Sequence, residues 1–452
     1  MAIEEIKTSS TIAEPATGRG ETKSTEVGSV FVSNYPPYSF WKQDTTGQAD
    51  RVLNAPPDPN ATLGLYLHIP FCRKRCKFCY FRVYTDKNAS QIETYLNALA
   101  TEIETYSKKP AVAGRDLKFI YFGGGTPSYI AAKHLKALVE RVKAALPWET
   151  AQEVAFECEP GTLTQTKLQT IREIGVTRLS LGIENFDDDI LRENGRAHVT
   201  KEIYRVMPWI RELDFEQLNI DLISGMVGET WETWRTSVDK TIELDPDSVT
   251  IYQMELPFNT VYSQTHLKGE SPIKIADWKL KREWHDYAID RLLEAGYEVS
   301  SAYTMVKKGT KHPFVYRDSV WEGSDMLGTG VASFGHMSGT HIQNTANWDE
   351  YLGKLENGQL PLKRAFVTTP EERLARETLL QLKRGSLNPA YFAEKFNVDV
   401  LDRFKVEFSQ LRDEGWLASN GSSVQLNRQG LLRVDQLLPV FYAPKYRNSR
   451  YT

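Results

Sequence analysis

Three of the four cysteines in this chain fall in one short stretch, Tyr66 to Phe81, where Cys72, Cys76 and Cys79 read CxxxCxxC. The stretch follows directly on a strand-like run, Gly64 to Ile69. Three thiolates on one loop can hold three irons of a [4Fe–4S] cluster, leaving a fourth iron without a protein ligand. A cluster with one open iron is suited to chemistry as well as to carrying electrons. Two other uses of thiols fit less well. Structural zinc takes four protein ligands in a closed tetrahedron, and His68, the nearest fourth donor, lies on the strand before Pro70, awkwardly placed to close the shell. A disulfide framework is not expected of 452 residues with four cysteines.

The length allows one large α/β domain and a smaller one. Hydrophobic residues make up 41% and charged residues 25% of the chain, as in ordinary globular proteins. A net charge of −4 argues against a general nucleic-acid binder. No apolar run approaches the length of a membrane span, and Met1 to Gly28 lacks the apolar core of a signal peptide. A cytoplasmic location is expected, and its reducing conditions suit exposed thiols.

Residues 1–28 are too poor in apolar side chains to offset the entropy of ordering and are expected to be disordered. Residues 29–62 form an aromatic and proline-rich segment. Within it, Val30 to Trp41 carries five aromatics around Pro36 and Pro37, either packed on the main domain or serving as a strap over a substrate. From residue 63 to 304, strand-like runs alternate with helical patterns. The runs are Leu65–Ile69, Leu117–Phe122, Glu153–Glu157, Arg178–Gly182, Gln217–Leu222 and Ser248–Met254. Ser90–Ser107, Ala131–Leu146, Thr164–Ile174, Thr200–Leu213 and Thr230–Leu244 lie between them as helices. Such alternation predicts parallel βαβ units. Six strands are too few for a closed eight-stranded barrel, so an α/β fold with a partial (β/α)6 barrel is expected, its functional residues at the C-terminal strand ends. Lys274–Ala295 reads as a further helix and Tyr297–Tyr303 as a further strand. Residues 305–369 are expected as a connecting region packed on the barrel, with a glycine-spaced turn, Leu327 to Gly335, whose GxG is not a complete dinucleotide fingerprint. Residues 370–452 read as a small helical, winged-helix-like domain. Its predicted helices are Glu371–Leu382, Pro389–Phe396, Val400–Glu414 and Gln429–Leu438, and a hairpin turns at Asn420-Gly421.

The cysteine loop closely resembles the signature of the radical S-adenosylmethionine (SAM) superfamily. More narrowly, Tyr66-Leu67-His68-Ile69-Pro70-Phe71-Cys72 resembles the YxHIPFC form of the oxygen-independent coproporphyrinogen III oxidase-like family. Further elements follow in that family's order. Gly123-Gly124-Gly125-Thr126-Pro127 resembles its GGGTP motif, and Leu181-Gly182-Ile183-Glu184-Asn185-Phe186 its GVQxF strand end, with Glu184 replacing Gln. Asn194-Gly195-Arg196 carries its motif arginine, and Asn219-Ile220-Asp221-Leu222-Ile223-Ser224-Gly225 resembles NxDLIxG. The resemblance implies that Cys72, Cys76 and Cys79 hold a [4Fe–4S] cluster. It implies that Tyr66, Gly124, Gly125, Thr126, Glu157, Glu184, Arg196 and Asp221 contact SAM, and that Tyr66 and Glu157 act in catalysis. Cys158, by strand alternation, faces away as a buried structural thiol.

The chemistry implied is reductive cleavage of SAM to a 5′-deoxyadenosyl radical that attacks a small organic substrate, porphyrin-like or polyunsaturated, with flavodoxin or ferredoxin as electron donor. The family's decarboxylases carry CxxxCxxCxC, but the position of their extra cysteine is Phe81 here, which disfavours coproporphyrinogen III dehydrogenase-like chemistry. Its heme chaperones carry HNxxYW, but Tyr316-Arg317-Asp318-Ser319-Val320-Trp321 has no histidine there; His312 and His336 lie nearby, off the motif. By elimination the expected reaction is SAM-derived carbon transfer, as in the family's methyltransferase and cyclopropanase branch, which binds two SAM molecules.

Overall fold

A computed structural model describes residues 32–42, 46–257, 259–268, 274–310, 314–418, 424–447 and 449. The expected disorder of residues 1–28, His312 and the Asn420-Gly421 turn lie outside them.

Six parallel strands form the centre of the fold, in sequence order: β1 (Leu63–Ile69), β2 (Leu117–Gly124), β3 (Glu153–Cys158), β4 (Arg178–Glu184), β5 (Gln217–Ser224) and β6 (Ser248–Gln253). Their branched and aromatic residues alternate with small or polar ones, the period-two pattern of strands. Leu63, Leu65, Leu67 and Ile69 of β1 are all buried in the main core. Helix Ala89–Ser107 packs its Ile92, Leu96, Leu99 and Ile103 into the same core, at the three- and four-residue spacing of one helical face. Its start is set by a capping box, in which the Asn88 side chain accepts from Gln91 N–H and Gln91 accepts from Asn88 N–H.

The sheet is larger than the six expected strands. It continues through β7 (Tyr297–Val299), β8 (Thr304–Lys307), β9 (Asp325–Thr329), β10 (Phe334–Met337), β11 (Thr340–Asn344) and β12 (Leu362–Val367), in the open order β12-β11-β10-β9-β1-β2-β3-β4-β5-β6-β8-β7. β9 runs parallel to β1, and the remaining additions are antiparallel. Residues 305–369 therefore do more than pack on the barrel: they supply four strands of its sheet. The single strand expected at Tyr297–Tyr303 is the hairpin β7–β8, because the Ser301 hydroxyl accepts from Tyr303 and Thr304 N–H and turns the chain back.

The turn at Leu327–Gly335 braces β1. Gly330 has a φ of +99°, and a Cβ there would come 2.5 Å from the Tyr95 hydroxyl. Its N–H donates to the buried Glu102 carboxylate at 2.8 Å, and the Tyr95 hydroxyl donates to the His68 carbonyl at 2.8 Å.

A second hydrophobic cluster gathers Leu374, Leu379, Phe392, Phe404, Phe408, Phe441 and Tyr446 from C-terminal helices. Beside them lies a two-stranded antiparallel sheet of β13 (Ser386–Leu387) and β14 (Val424–Gln425). The helix expected at Val400–Glu414 breaks at Phe404 into Val400–Arg403 and Lys405–Asp413, and Gln429–Leu438 is likewise two short helices. The aromatic segment is packed rather than free. Tyr35 sits in the second cluster against Tyr442 and Tyr446, and Trp41 stacks on His341 at 4.7 Å. Among the described residues no helix is long and apolar enough to cross a membrane.

Candidate active site

The cysteine loop leaves the C-terminal end of β1 and is tied to its neighbours by backbone bonds. Cys72 N–H donates to Tyr84 O at 3.0 Å, Tyr84 N–H to Pro70 O at 2.7 Å, and Lys77 N–H to Asn194 O at 3.0 Å. The glycines at the end of β2 fasten it from below. Gly125 N–H donates to Ile69 O and Thr126 N–H to Phe71 O, both at 2.8 Å. A Cβ on Gly125 would lie within 2.9 Å of the Ile69 and Phe71 carbonyl oxygens, and one on Gly124 2.5 Å from the His68 ring. These two glycines are required first by the close approach of the loop and of β1, rather than by open space for a ligand.

All three loop cysteines are free and partly exposed, whereas Cys158 is buried in the main core. Burial pushes the Cys72 thiol up to about 12, against the Thr126 hydroxyl that donates to its sulfur at 3.4 Å. The Cys79 thiol is also raised by burial. Arg196 Nη1 donates to the Cys76 sulfur at 3.5 Å. Among the described residues no three His, Cys, Asp or Glu side chains converge tightly enough for a single metal ion.

On the inner face of the sheet the strand ends bring three carboxyls together. Glu157 on β3 accepts from the Tyr121 hydroxyl at 2.8 Å and from Gly124 N–H at 3.2 Å. Burial still pushes it up to about 7, with the nearby Glu184 charge adding to the rise. Glu184 ends β4 at a break in register, with a φ of +69°. That conformation is strained for a non-glycine residue and is found where surrounding structure enforces it. Burial raises the Glu184 carboxyl, and Arg196, 3.6 Å away, opposes the rise. Asp221 on β5 is raised well above the carboxylate range, by burial and then by the Glu184 and Glu157 charges. Its Oδ1 accepts from the Asn219 amide at 2.9 Å.

Among the described residues, Arg196 is the cation that pairs with Glu184 and acts on Asp221. Burial works against its charge, but Cys76, Glu184 and Glu159 outweigh that and hold it above its usual range. Its Nη2 donates to Gly182 O at 2.6 Å, while the buried Nε has no partner among the described residues. The guanidinium thus links the β4 end to the cysteine loop and keeps one N–H unspent. Tyr66 stacks on Tyr121 at 5.9 Å, and its hydroxyl lies 3.3 Å from His68 Nδ1. Burial holds the Tyr66 phenol protonated and lowers the His68 imidazole to about 4.

The structure places Tyr66, Cys72, Cys76, Cys79, Gly124, Gly125, Thr126, Glu157, Glu184, Arg196 and Asp221 around the ends of β1 to β5. It adds several the sequence did not point to. Tyr316, from helix Val315–Trp321, lies over the Tyr121 ring at 4.2 Å. Tyr252, at the end of β6, is half exposed and faces Asp221, Glu157 and Glu184. Glu159 accepts from His198 at 2.8 Å beneath the β4 end. Tyr121 and Tyr252 stand on strands and were reachable by period-two counting from Glu157 and Asp221. Tyr316 was noted only for the histidine it replaces, and nothing local set it against Tyr121, because it comes from a distant helix.

Comparison with known proteins gives this arrangement a lineage. The Radical SAM superfamily model matches residues 66–241. Over 382 residues the chain is 28% identical to the heme chaperone HemW of Bacillus subtilis, covering 83% of this chain and 98% of that protein. It is 25% identical over 430 residues to the oxygen-independent coproporphyrinogen III oxidase of Synechocystis, covering 90% and 91%. The solved structure of coproporphyrinogen III oxidase (HemN) from Escherichia coli shares the fold, with a TM-score of 0.76 and 22% identity over 92% of this chain and 96% of that one. With a cysteine loop at the head of a parallel sheet, a Radical SAM superfamily match over residues 66–241 and similarity along most of its length, the chain carries a radical SAM domain and is similar to the HemN/HemW-like oxygen-independent coproporphyrinogen III oxidases and heme chaperones.

Proposed function

We propose that this protein is a radical SAM enzyme that abstracts hydrogen from a tetrapyrrole, in the manner of the coproporphyrinogen oxidases. The observation that carries the reading is the similarity, over most of both chains, to two kinds of protein whose names share a tetrapyrrole. The expected SAM-derived carbon transfer rested on two missing motif residues, at Phe81 and in Tyr316–Trp321. It gives way here, because these relatives are heme and coproporphyrinogen proteins.

The family implies a [4Fe–4S] cluster and SAM, and the residues present fit both. Three soft thiol donors stand free and partly exposed on one loop, the donor set that a [4Fe–4S] cluster with one open iron takes. Of the three buried carboxyls Glu157, Glu184 and Asp221, Glu184 lies 3.6 Å from Arg196 and Asp221 feels its charge, and the excess of acid among the described residues is one that a sulfonium and an ammonium would correct. The orphaned Arg196 Nε–H suits a carboxylate. When bound, the cluster supplies the electron that splits SAM into methionine and the 5′-deoxyadenosyl radical.

The chain's own residues orient and protect. Cys72, Cys76 and Cys79 hold the cluster, and Thr126 and Arg196 donate to two of their sulfurs. Glu157, held by Tyr121 and Gly124, fixes the cationic end of SAM, and Arg196 its carboxylate. Tyr66, Tyr121 and Tyr316 form an aromatic wall beside Glu157, suited to the face of a flat ligand.

The test is anaerobic incubation of the iron-loaded protein with SAM and dithionite, with and without coproporphyrinogen III. The reading expects 5′-deoxyadenosine release that the tetrapyrrole accelerates. An intact cluster without release would sink the enzyme reading. Tight stoichiometric heme binding without turnover would assign the protein to the chaperones. Methyl label passing from SAM into product would restore carbon transfer.

A further inference from the structure

Toward the N-terminal ends of β3 to β6 the inner face of the sheet carries buried polar side chains, among them Glu153, Arg178, Asn219 and Ser248. A buried ion pair is costly unless further hydrogen bonds satisfy its atoms. Here the pair is extended by a series of them. Arg178 Nε donates to Glu153 Oε2 at 2.8 Å, and Glu153 also accepts from Val315 N–H at 3.3 Å and Tyr316 N–H at 2.9 Å. Arg178 Nη1 donates to the Ser248 hydroxyl at 3.4 Å, and that hydroxyl donates to Asn219 Oδ1 at 2.9 Å. The Thr250 hydroxyl donates to the same oxygen at 3.0 Å. With its oxygen so filled, the Asn219 amide turns Nδ2 to Asp221 Oδ1 at 2.9 Å and to the Ser180 hydroxyl at 3.4 Å. Both donors and both acceptor positions of the amide are thus in use.

The chain of bonds has a direction. A guanidinium can only donate, so Arg178 leaves the Ser248 proton for Asn219 and the Asn219 N–H for Asp221. We infer that Arg178 and Asn219 are positioning residues: acting through Ser248, they hold an amide donor on Asp221 Oδ1, so that the carboxyl presents Oδ2 to a bound cation. The inference rests on the radical SAM reading, in which Asp221 contacts SAM. Oδ2 has no hydrogen-bond partner among the described residues. With a donor fixed on Oδ1, a proton on Asp221 sits on Oδ2, and a cation arriving there sends it to water. Burial and the Glu184 and Glu157 charges favour that proton, while the Asn219 amide and Arg196 oppose it. Tyr252, from β6, faces the same carboxyl. Loss of the amide therefore favours the proton and weakens the hold on a cation. The far end of the chain is anchored outside the strands, because Glu153 takes two N–H groups of the helix that carries Tyr316.

The test is a double-mutant cycle on the iron-loaded protein, read by equilibrium binding of SAM at pH 7. Asn219→Ser, whose hydroxyl is too short to reach Asp221, is compared with wild type. The same substitution is then compared within an Asp221→Asn background. Against wild type, Asn219→Ser is expected to weaken SAM binding about tenfold, the worth of one hydrogen bond to a charged group. Within Asp221→Asn it should change the affinity about twofold or less, since a neutral amide gains less from the donor. Ser248→Ala, which cuts the link to Arg178, should show a smaller loss with the same dependence on Asp221. Equal losses in the two backgrounds overturn the proposal, because a merely structural role needs no carboxylate at position 221. Unchanged binding by Asn219→Ser in the wild-type background overturns it as well. Iron content is followed throughout, and if Asn219→Ser lowers it, Ser248→Ala carries the same cycle. Asp221→Asn that binds SAM as tightly as wild type would instead remove Asp221 from the SAM site, and the inference with it.

Discussion

Tyr121 on β2 donates its hydroxyl to Glu157 on the adjacent β3 at 2.8 Å, while the second carboxylate oxygen accepts from Gly124 N–H at 3.2 Å. Both oxygens of the acid are thus held by the strand that fastens the cysteine loop. Among the described residues no cation forms an ion pair with this carboxyl.

Because burial pushes Glu157 up to about 7, a cation entering the site binds best once this acid has lost its proton. SAM affinity should therefore rise with pH, about tenfold between pH 6 and pH 8, with proton release on binding below pH 7. Glu157→Gln should bind more weakly at pH 8 and show a shallower profile, Glu184 and Asp221 being the acids left to titrate. Equilibrium binding across that range, at constant iron content, checks it; a wild-type profile as flat as the variant's would contradict the assignment.

Arg196→Lys keeps the charge but loses the planar fork that spans Gly182 O and the Cys76 sulfur, together with the buried Nε–H that has no partner among the described residues. One charged hydrogen bond to a ligand carboxylate is worth about 2 kcal/mol, so SAM should bind roughly thirtyfold more weakly, with iron still present. Equal affinity in the two proteins would remove Arg196 from the binding site.

Cys72→Ala, Cys76→Ala and Cys79→Ala should each lose the brown chromophore and most of the bound iron on reconstitution. Cys158→Ala should keep both, since that thiol lies in the apolar core. It should lose at most about 1 kcal/mol of stability, for a small buried group. Iron and sulfide analysis decides, and a loop variant with full iron content would falsify the ligand set.

Glu102 ties the Gly330 turn to the main helix. It accepts from Gly330 N–H at 2.8 Å, the Tyr351 hydroxyl at 2.7 Å and the Asn344 amide at 2.6 Å. Burial nevertheless raises it to about 7. A carboxyl raised by folding contributes stability that is full below its ordinary value near 4.5 and is lost as the pH climbs through 7. Wild type should lose about 3 kcal/mol from this group over that window. Glu102→Gln, which turns an amide toward one of three donors, should be less stable at pH 5 by about 1–3 kcal/mol. The gap should close above pH 7. Urea unfolding at both pH values measures it, and a pH-independent gap would contradict the role given to Glu102.

The sequence alone determined the central strands and the helices between them, β1 to β6 within a few residues, because alternation of buried and small or polar side chains is a local property. The cysteine loop was equally legible, since its chemistry lies in the spacing of Cys72, Cys76 and Cys79 along a few residues. Tertiary structure decided the rest. Strand pairing joins residues far apart in the chain, so nothing local announced that β9 would lie beside β1 or that residues 305–369 would extend the sheet. The same distance hid Tyr316, which meets Tyr121 only when its helix packs on β2. It also hid the reason for Gly124 and Gly125, whose crowding partners belong to β1 and the loop beyond it. Residue types near the loop gave the class of chemistry. Which side chains face one another, and so how far each carboxyl is raised, depends on burial and on charges that only folding brings together.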